Sequence, residues 1–287
     1  MEEGYSYVPK GVAPEEEDVT PSADQLDAIG GAVPREEVLQ QIDQANTLDP
    51  KLWVQLESQA ENVVNQIREK ILHHDYSFVI GDDASGRLPV LLFSRLLANI
   101  YEKDGVKKPE TRFLAGSRDL VGQEAEDKRK MIEDYLREQV LPEVAARKGK
   151  VLIVTDTIYS GKSLMPLVNA LTSLQIPCEV VTLQFVPGYA SKSTMEANLG
   201  ARIYAGEDND DDPHIYGRSD LSGVHKEAGS LHAESNAHLP KEDGKYDTKV
   251  LAEARQRTAG IADKLTLKLE NTPRKKPGIF DFFKSNR

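Results

Sequence analysis

The 287-residue chain predicts an α/β fold, a mostly parallel sheet flanked by helices, with polar extensions at its amino and carboxyl ends. Three observations lead there. Short β-branched runs alternate with longer amphipathic stretches, and strands separated by helices imply βαβ units with right-handed crossovers. One such run, Val151, Leu152, Ile153 and Val154, is too short for a helix of its own and reads as a buried parallel strand. The amino end has little apolar content to bury: Glu2, Glu3, Glu15, Glu16, Glu17, Asp18, Asp24 and Asp27 sit among Pro9, Pro14, Pro21 and Pro34.

In chain order, residues 1–48 form an acidic, weakly structured extension, with a short helix over 34–44 that starts at Pro34. Leu52, Trp53, Leu56, Val63, Val64, Ile67 and Ile71 then recur at helical spacing, predicting an amphipathic helix from Pro50 to near His73 and His74. A strand over 76–81, a helix over 88–101, a strand over 111–116 and a charged, solvated helix within 122–147 follow. The strand over 150–156 leads to a helix over 163–174, a strand over 179–186, a short helix over 192–199 and a last strand over 201–205. Val250, Leu251, Ile261, Leu265 and Leu269 mark a final helix. Three regions result: the extension 1–48, an α/β domain over 49–226, and a loop, helix and tail over 227–287. No internal repeat is present.

A formal charge of −11 and a pI near 5.2 argue against general nucleic-acid or anionic-membrane binding. The single cysteine, Cys178, excludes an intramolecular disulfide framework and points to a reducing compartment. It opens an apolar strand, so a buried thiol is favoured over a nucleophile. Met1, Glu2 and Glu3 are acidic where a signal peptide would be basic. With no apolar run long enough to span a bilayer, the expected location is the cytoplasm.

The chemistry concentrates at residues 151–164. Asp156 ends the strand, a polar turn carries Gly161, and Ser163 stands where it can cap the next helix. Strand, turn and helix start make an anion site, because the first helical turn leaves N–H groups unpaired and the macrodipole favours negative charge. Ser160 and Ser163 add hydroxyls, Gly161 permits close backbone approach, and an acid one step earlier suits a sugar's vicinal hydroxyls. The segment reads as a seat for a ribose 5-phosphate. Ser160, Gly161, Lys162 and Ser163 also end like a nucleoside-triphosphate P-loop, but the first glycine that motif needs falls on Asp156.

These residues resemble the motif that binds phosphoribosyl pyrophosphate (PRPP) in the type I phosphoribosyltransferases, where a buried strand ends in two acids followed by Thr-Gly-x-Thr. Asp156 matches the second acid, Thr155 replaces the first, and Ser160, Gly161, Lys162 and Ser163 match the phosphate loop. The resemblance implies a type I phosphoribosyltransferase-like fold that binds PRPP with Mg²⁺ and transfers phosphoribosyl to a nucleobase-like nitrogen acceptor, releasing pyrophosphate. It implies Asp156 as the catalytic, ribose-holding acid and Thr155, Thr157, Tyr159, Ser160, Gly161, Lys162 and Ser163 as the PRPP-binding set. Tyr159 stands where some purine-specific members carry an acid acting as base, so that role is not carried over. A non-catalytic sensor of PRPP or a nucleotide is the alternative that Thr155 leaves open.

The turn Asp82, Asp83, Ala84, Ser85, Gly86 and Arg87 follows the first strand and matches the family's pyrophosphate loop in order and position. Its two acids either meet pyrophosphate through Mg²⁺, with Asp83 and Asp156 as metal-facing groups, or cap the next helix. Arg118 either clamps pyrophosphate or pairs with Asp119 on the surface. Tyr216, Arg218 and Asp220 follow the last strand, where the family keeps base-recognition elements. The acidic run at 207–212 reads as a solvated loop, and His225, His232 and His238 fit no zinc spacing. Type I members are often dimers. Ile279, Phe282 and Phe283 behind Arg274, Lys275 and Lys276 resemble a sliding-clamp-binding peptide, with docking on the chain's own domain as the favoured alternative.

Overall fold

The computed structural model describes residues 50–82, 86–116, 122–209, 224–225, 230–232, 234–235 and 248–272. The chain divides into units 1–41 and 42–287, and every described residue belongs to the second. The expected helix over 34–44, the residues Asp83, Ala84, Ser85, Arg118, Tyr216, Arg218, Asp220 and His238, and the 274–287 tail lie outside the described residues.

The elements run α1 (Pro50–Leu72), β1 (Tyr76–Asp82), α2 (Arg87–Lys103), β2 (Glu110–Leu114), α3 (Gly122–Tyr135), a π-turn (Leu136–Val140), α4 (Leu141–Arg147), β3 (Lys150–Ile158), α5 (Met165–Ser173), β4 (Cys178–Phe185), α6 (Lys192–Leu199) and β5 (Arg202–Asp208). A two-residue hairpin, β6 (Val224–His225) and β7 (Glu234–Ser235), precedes α7 (Thr248–Asn271). β1 to β5 make one sheet, in the order β2-β1-β3-β4-β5, and every pair in it is parallel. Ile80 pairs with Ile153 and Gly81 with Val154 across β1 and β3, while Val154 pairs with Val181 across β3 and β4.

An all-parallel sheet must be covered on both faces, and alternation along the strands divides the core accordingly. Val79, Leu152, Val154, Val181, Leu183 and Tyr204 join the helices α1, α2 and α7. Phe78, Ile80, Val151, Ile153, Val180 and Ile203 join α3 to α6. Because both faces are buried, the strands read in the sequence as continuous apolar runs. α7 is fastened by Asp263, whose carboxylate accepts two bonds from Arg95 (2.8 and 3.0 Å) and one from Asn99 (2.9 Å), both on α2. Among the described residues, no helix is long and apolar enough to cross a membrane.

The expectation of a solvated helix within 122–147 is corrected in part. Ile132, Leu136, Val140 and Val144 are buried in a stripe at strict four-residue spacing. That spacing outruns the 3.6-residue turn of an α-helix, and the π-turn absorbs the excess and keeps the stripe on the sheet.

The amino ends of the central strands hold a closed polar cluster. Glu179, at the start of β4, accepts hydrogen bonds from Lys70, Lys150 (3.0 Å) and the Tyr76 hydroxyl (2.9 Å), and Lys70 also donates to Tyr204. Burial alone would raise the Glu179 pKa, but the bonds from Lys70, Lys150 and Tyr76 together outweigh it and hold the carboxyl below its ordinary range. A carboxyl lowered by folding contributes stability that is complete above its unfolded pKa and lost as pH falls toward the folded one. Unfolding free energy should therefore decline as pH drops below the ordinary value of 4.5, and Glu179→Gln should remove that part of the decline. At neutral pH the substitution should cost about 2 kcal/mol, below the roughly 3–5 kcal/mol of a fully buried pair, because Lys70 and Lys150 keep 26% and 35% of their side-chain exposure. Denaturant unfolding of both proteins at neutral and acid pH checks this; equal acid slopes would contradict it.

Candidate functional site

In the order β2-β1-β3-β4-β5 the chain leaves β1 toward β2 and returns to the other side of β1 as β3. Ligand crevices in doubly wound sheets form at such a reversal, beyond the strands' carboxyl ends. Here the β1–α2 turn and the β3–α5 bend flank it.

β3 is longer than the sequence suggested. Its pairing with β1 stops at Val154, but against β4 it continues through Thr157–Gln184 and Ile158–Phe185. Asp156 is therefore not the strand's last residue; it lies just past the last β1 pair, braced by β4 alone. The Thr182 hydroxyl stands 3.0 Å from the Asp156 carbonyl and 2.8 Å from that of Gln184, so its one hydrogen is shared between them. Asp156 is 1% exposed. Its Oδ1 accepts the Thr157 N–H at 2.6 Å and lies 3.4 Å from the Thr155 hydroxyl. Thr155, in the place of the family's first acid, is also 1% exposed.

The bend then turns on Gly161, whose φ of +66° is a left-handed conformation that side chains disfavour. A Cβ there would also press on Met195 of α6. The Gly161 carbonyl accepts the N–H groups of Leu164 (3.0 Å) and Met165 (3.1 Å). The expected cap by Ser163 is corrected: α5 begins at Met165, Leu164 holds the N-cap position, and no side chain caps from there. Pro166 in the first turn sets the helical φ in place of a cap. Tyr159, Ser160 and Ser163 are half-buried, Lys162 is exposed and Gly161 is buried.

Asp82 is the last residue of β1 and 4% exposed. The N-cap position of α2 is held by Gly86. The Gly86 N–H returns to the Asp82 carbonyl at 2.9 Å, and a Cβ on Gly86 would overlap that carbonyl and reach 3.0 Å from the Val154 carbonyl. Glycine thus lets the chain enter α2 close against the main chain of β1 and β3. Arg87 opens α2 with its guanidinium 4.1 Å from the Phe113 ring centroid of β2, a cation–π contact.

The sequence missed Gly116, Phe113 and Thr182. Gly116 follows β2, and its Cα approaches the Ser163 carbonyl so closely that any side chain would overlap it. The available signal was a glycine directly after a strand. Gly86 approaches Val154 of β3, and Gly116 at the β2 end approaches Ser163 of the bend; Asp83, Ala84, Ser85 and Arg118 lie outside the described residues, as do Tyr216, Arg218 and Asp220. Cys178 is away from it, at the amino end of β4, and burial pushes its thiol up to about 11, so it is not a ready nucleophile. Among the described residues no group of three or more His, Cys, Asp or Glu is arranged to hold a metal ion.

No family model matches the chain, and no curated protein is similar to it.

Gly161→Ala should lower unfolding free energy by about 1–2 kcal/mol, since a Cβ is strained at positive φ and here meets Met195. Urea unfolding measures this, and unchanged stability would mean that the bend is not held in the left-handed conformation.

Proposed function

We propose that the chain is a type I phosphoribosyltransferase-like protein that binds PRPP with Mg²⁺ and transfers phosphoribosyl to a nitrogen nucleophile of the nucleobase class, releasing pyrophosphate. One observation carries this reading: the bend that resembles the PRPP motif follows the strand next to the sheet's reversal point, where phosphorylated ligands gather. Residues 159–163 offer backbone N–H groups and the Ser160 and Ser163 hydroxyls to a 5-phosphate, with the α5 dipole behind them. Asp156, oriented by the Thr157 N–H, supplies a carboxylate for the ribose hydroxyls. The turn from Asp82 to Arg87 faces the leaving pyrophosphate. In the transfer the bond between the anomeric carbon and pyrophosphate breaks as the acceptor nitrogen adds from the opposite side. The chain's contribution is to orient the two reactants, exclude water and neutralise charge on the departing group.

A second reading, a non-catalytic sensor of PRPP or a nucleotide, is favoured by Thr155 in place of an acid and by the 1% exposure of Asp156. The two readings differ in turnover. Pyrophosphate release from PRPP and Mg²⁺ with pooled nucleobases is expected for the transferase, and PRPP binding without release for the sensor. In both, Asp156→Asn should weaken PRPP binding about tenfold or more, the loss of a charge-assisted hydrogen bond. If PRPP neither binds nor stabilises the wild-type chain, both readings fail.

A further inference from the structure

The segment 230–232 lies at the free edge of β2 and is held by four contacts, two to the β2 main chain and its continuation and two to α3. The Leu231 carbonyl accepts the Ala115 N–H at 2.7 Å. Nδ1 of His232 lies 2.9 Å from the Phe113 carbonyl; a carbonyl only accepts, so Nδ1 carries the proton. Lys128, 3% exposed on α3, donates to the Ser230 carbonyl, and the His232 ring meets Tyr135 edge-on at 5.8 Å. β2 is an edge strand, so this strap satisfies backbone groups that would otherwise face solvent.

The strap's anchor touches the bend. Ala115 is held by Leu231, and the next residue, Gly116, packs its Cα against the Ser163 carbonyl with no room for a side chain. The peptide carrying that carbonyl presents its N–H, that of Leu164, to the Gly161 carbonyl at 3.0 Å. Gly116 therefore fixes the plane of the peptide that closes the bend, and the strap fixes Gly116. Backbone packed on backbone at both steps leaves no flexible side chain to absorb a displacement.

We infer that His232 is a positioning residue for the anion-binding bend: the docked strap, acting through Ala115 and Gly116, holds Ser163 and Leu164 in the geometry that receives a phosphate monoester. This inference rests on the proposed ribose 5-phosphate seat and adds a control to it. By linkage, a ligand that prefers the closed bend must also tighten the strap.

The test uses the full chain, with ribose 5-phosphate and inorganic phosphate as calorimetric probes and hydrogen exchange at the Ala115 amide as the strap's reporter. His232→Ala should weaken ribose 5-phosphate binding about fivefold, the lower end of ordinary coupling between sites. His232→Asn, whose Nδ2 amide stands where Nδ1 does and can donate to the Phe113 carbonyl, should restore most of that affinity, which a loss of bulk or general stability would not predict. Saturating ribose 5-phosphate should slow exchange at Ala115 in the wild-type chain, a readout that stands even where the alanine variant fails to fold. Wild-type affinity in His232→Ala, or ligand binding that leaves Ala115 exchange unchanged, overturns the coupling but spares the bend as a phosphate seat. A wild-type chain that binds neither probe overturns the seat and the coupling together.

Discussion

Three glycines allow close approaches around the carboxyl end of β3, two of them backbone on backbone, and the rest of the site depends on that closeness. Gly86 lies against the Asp82 and Val154 carbonyls, Gly116 seats the end of β2 on Ser163, and Gly161 turns the chain at positive φ beside Met195. A Cβ at the first two would collide with main-chain atoms, which cannot swing aside as a side-chain tip can. The result is a strand end bordered closely by the peptide groups of Gly86 and of Gly116.

The two ends of the sheet use charge differently. At the amino end, Glu179 is enclosed by Lys70, Lys150 and Tyr76, and the group is internally satisfied. Such a cluster fixes register and contributes acid sensitivity, and its chemistry is complete within the fold. At the carboxyl end, Asp82 and Asp156 are buried more deeply, at 4% and 1% exposure against 7% for Glu179, and they sit beside turns and a helix start. Exposed Lys162 and half-exposed Arg87 lie at this same end of the sheet.

Much of this was legible in the sequence. All five strands of the sheet were anticipated within a few residues: the central β1, β3 and β4 are buried on both faces and rich in apolar residues, and the alternation with helices located the edge strands. What escaped depends on contacts between distant segments. β3 runs on through Ile158 because Gln184 and Phe185 of β4 extend beside it, which no local pattern in Thr155, Asp156 and Thr157 reveals. Ser163 looked like a cap, but the Gly161 carbonyl draws both Leu164 and Met165 and delays the helix. The stripe of Ile132, Leu136, Val140 and Val144 was masked by the charges around it and by a period that fits neither an α-helix nor a strand. The strap at 230–232 has no pattern of its own and is defined by the edge it covers.

The central claim is that residues 159–163 form a phosphate seat, and the most direct measurement is the backbone amide NMR spectrum of the chain titrated with ribose 5-phosphate. The largest shifts should fall on the amides of Ser160, Gly161, Lys162 and Ser163, with smaller ones at Thr157 and Gly86. Shifts that cluster elsewhere, or a spectrum unchanged at saturating ligand, would contradict it.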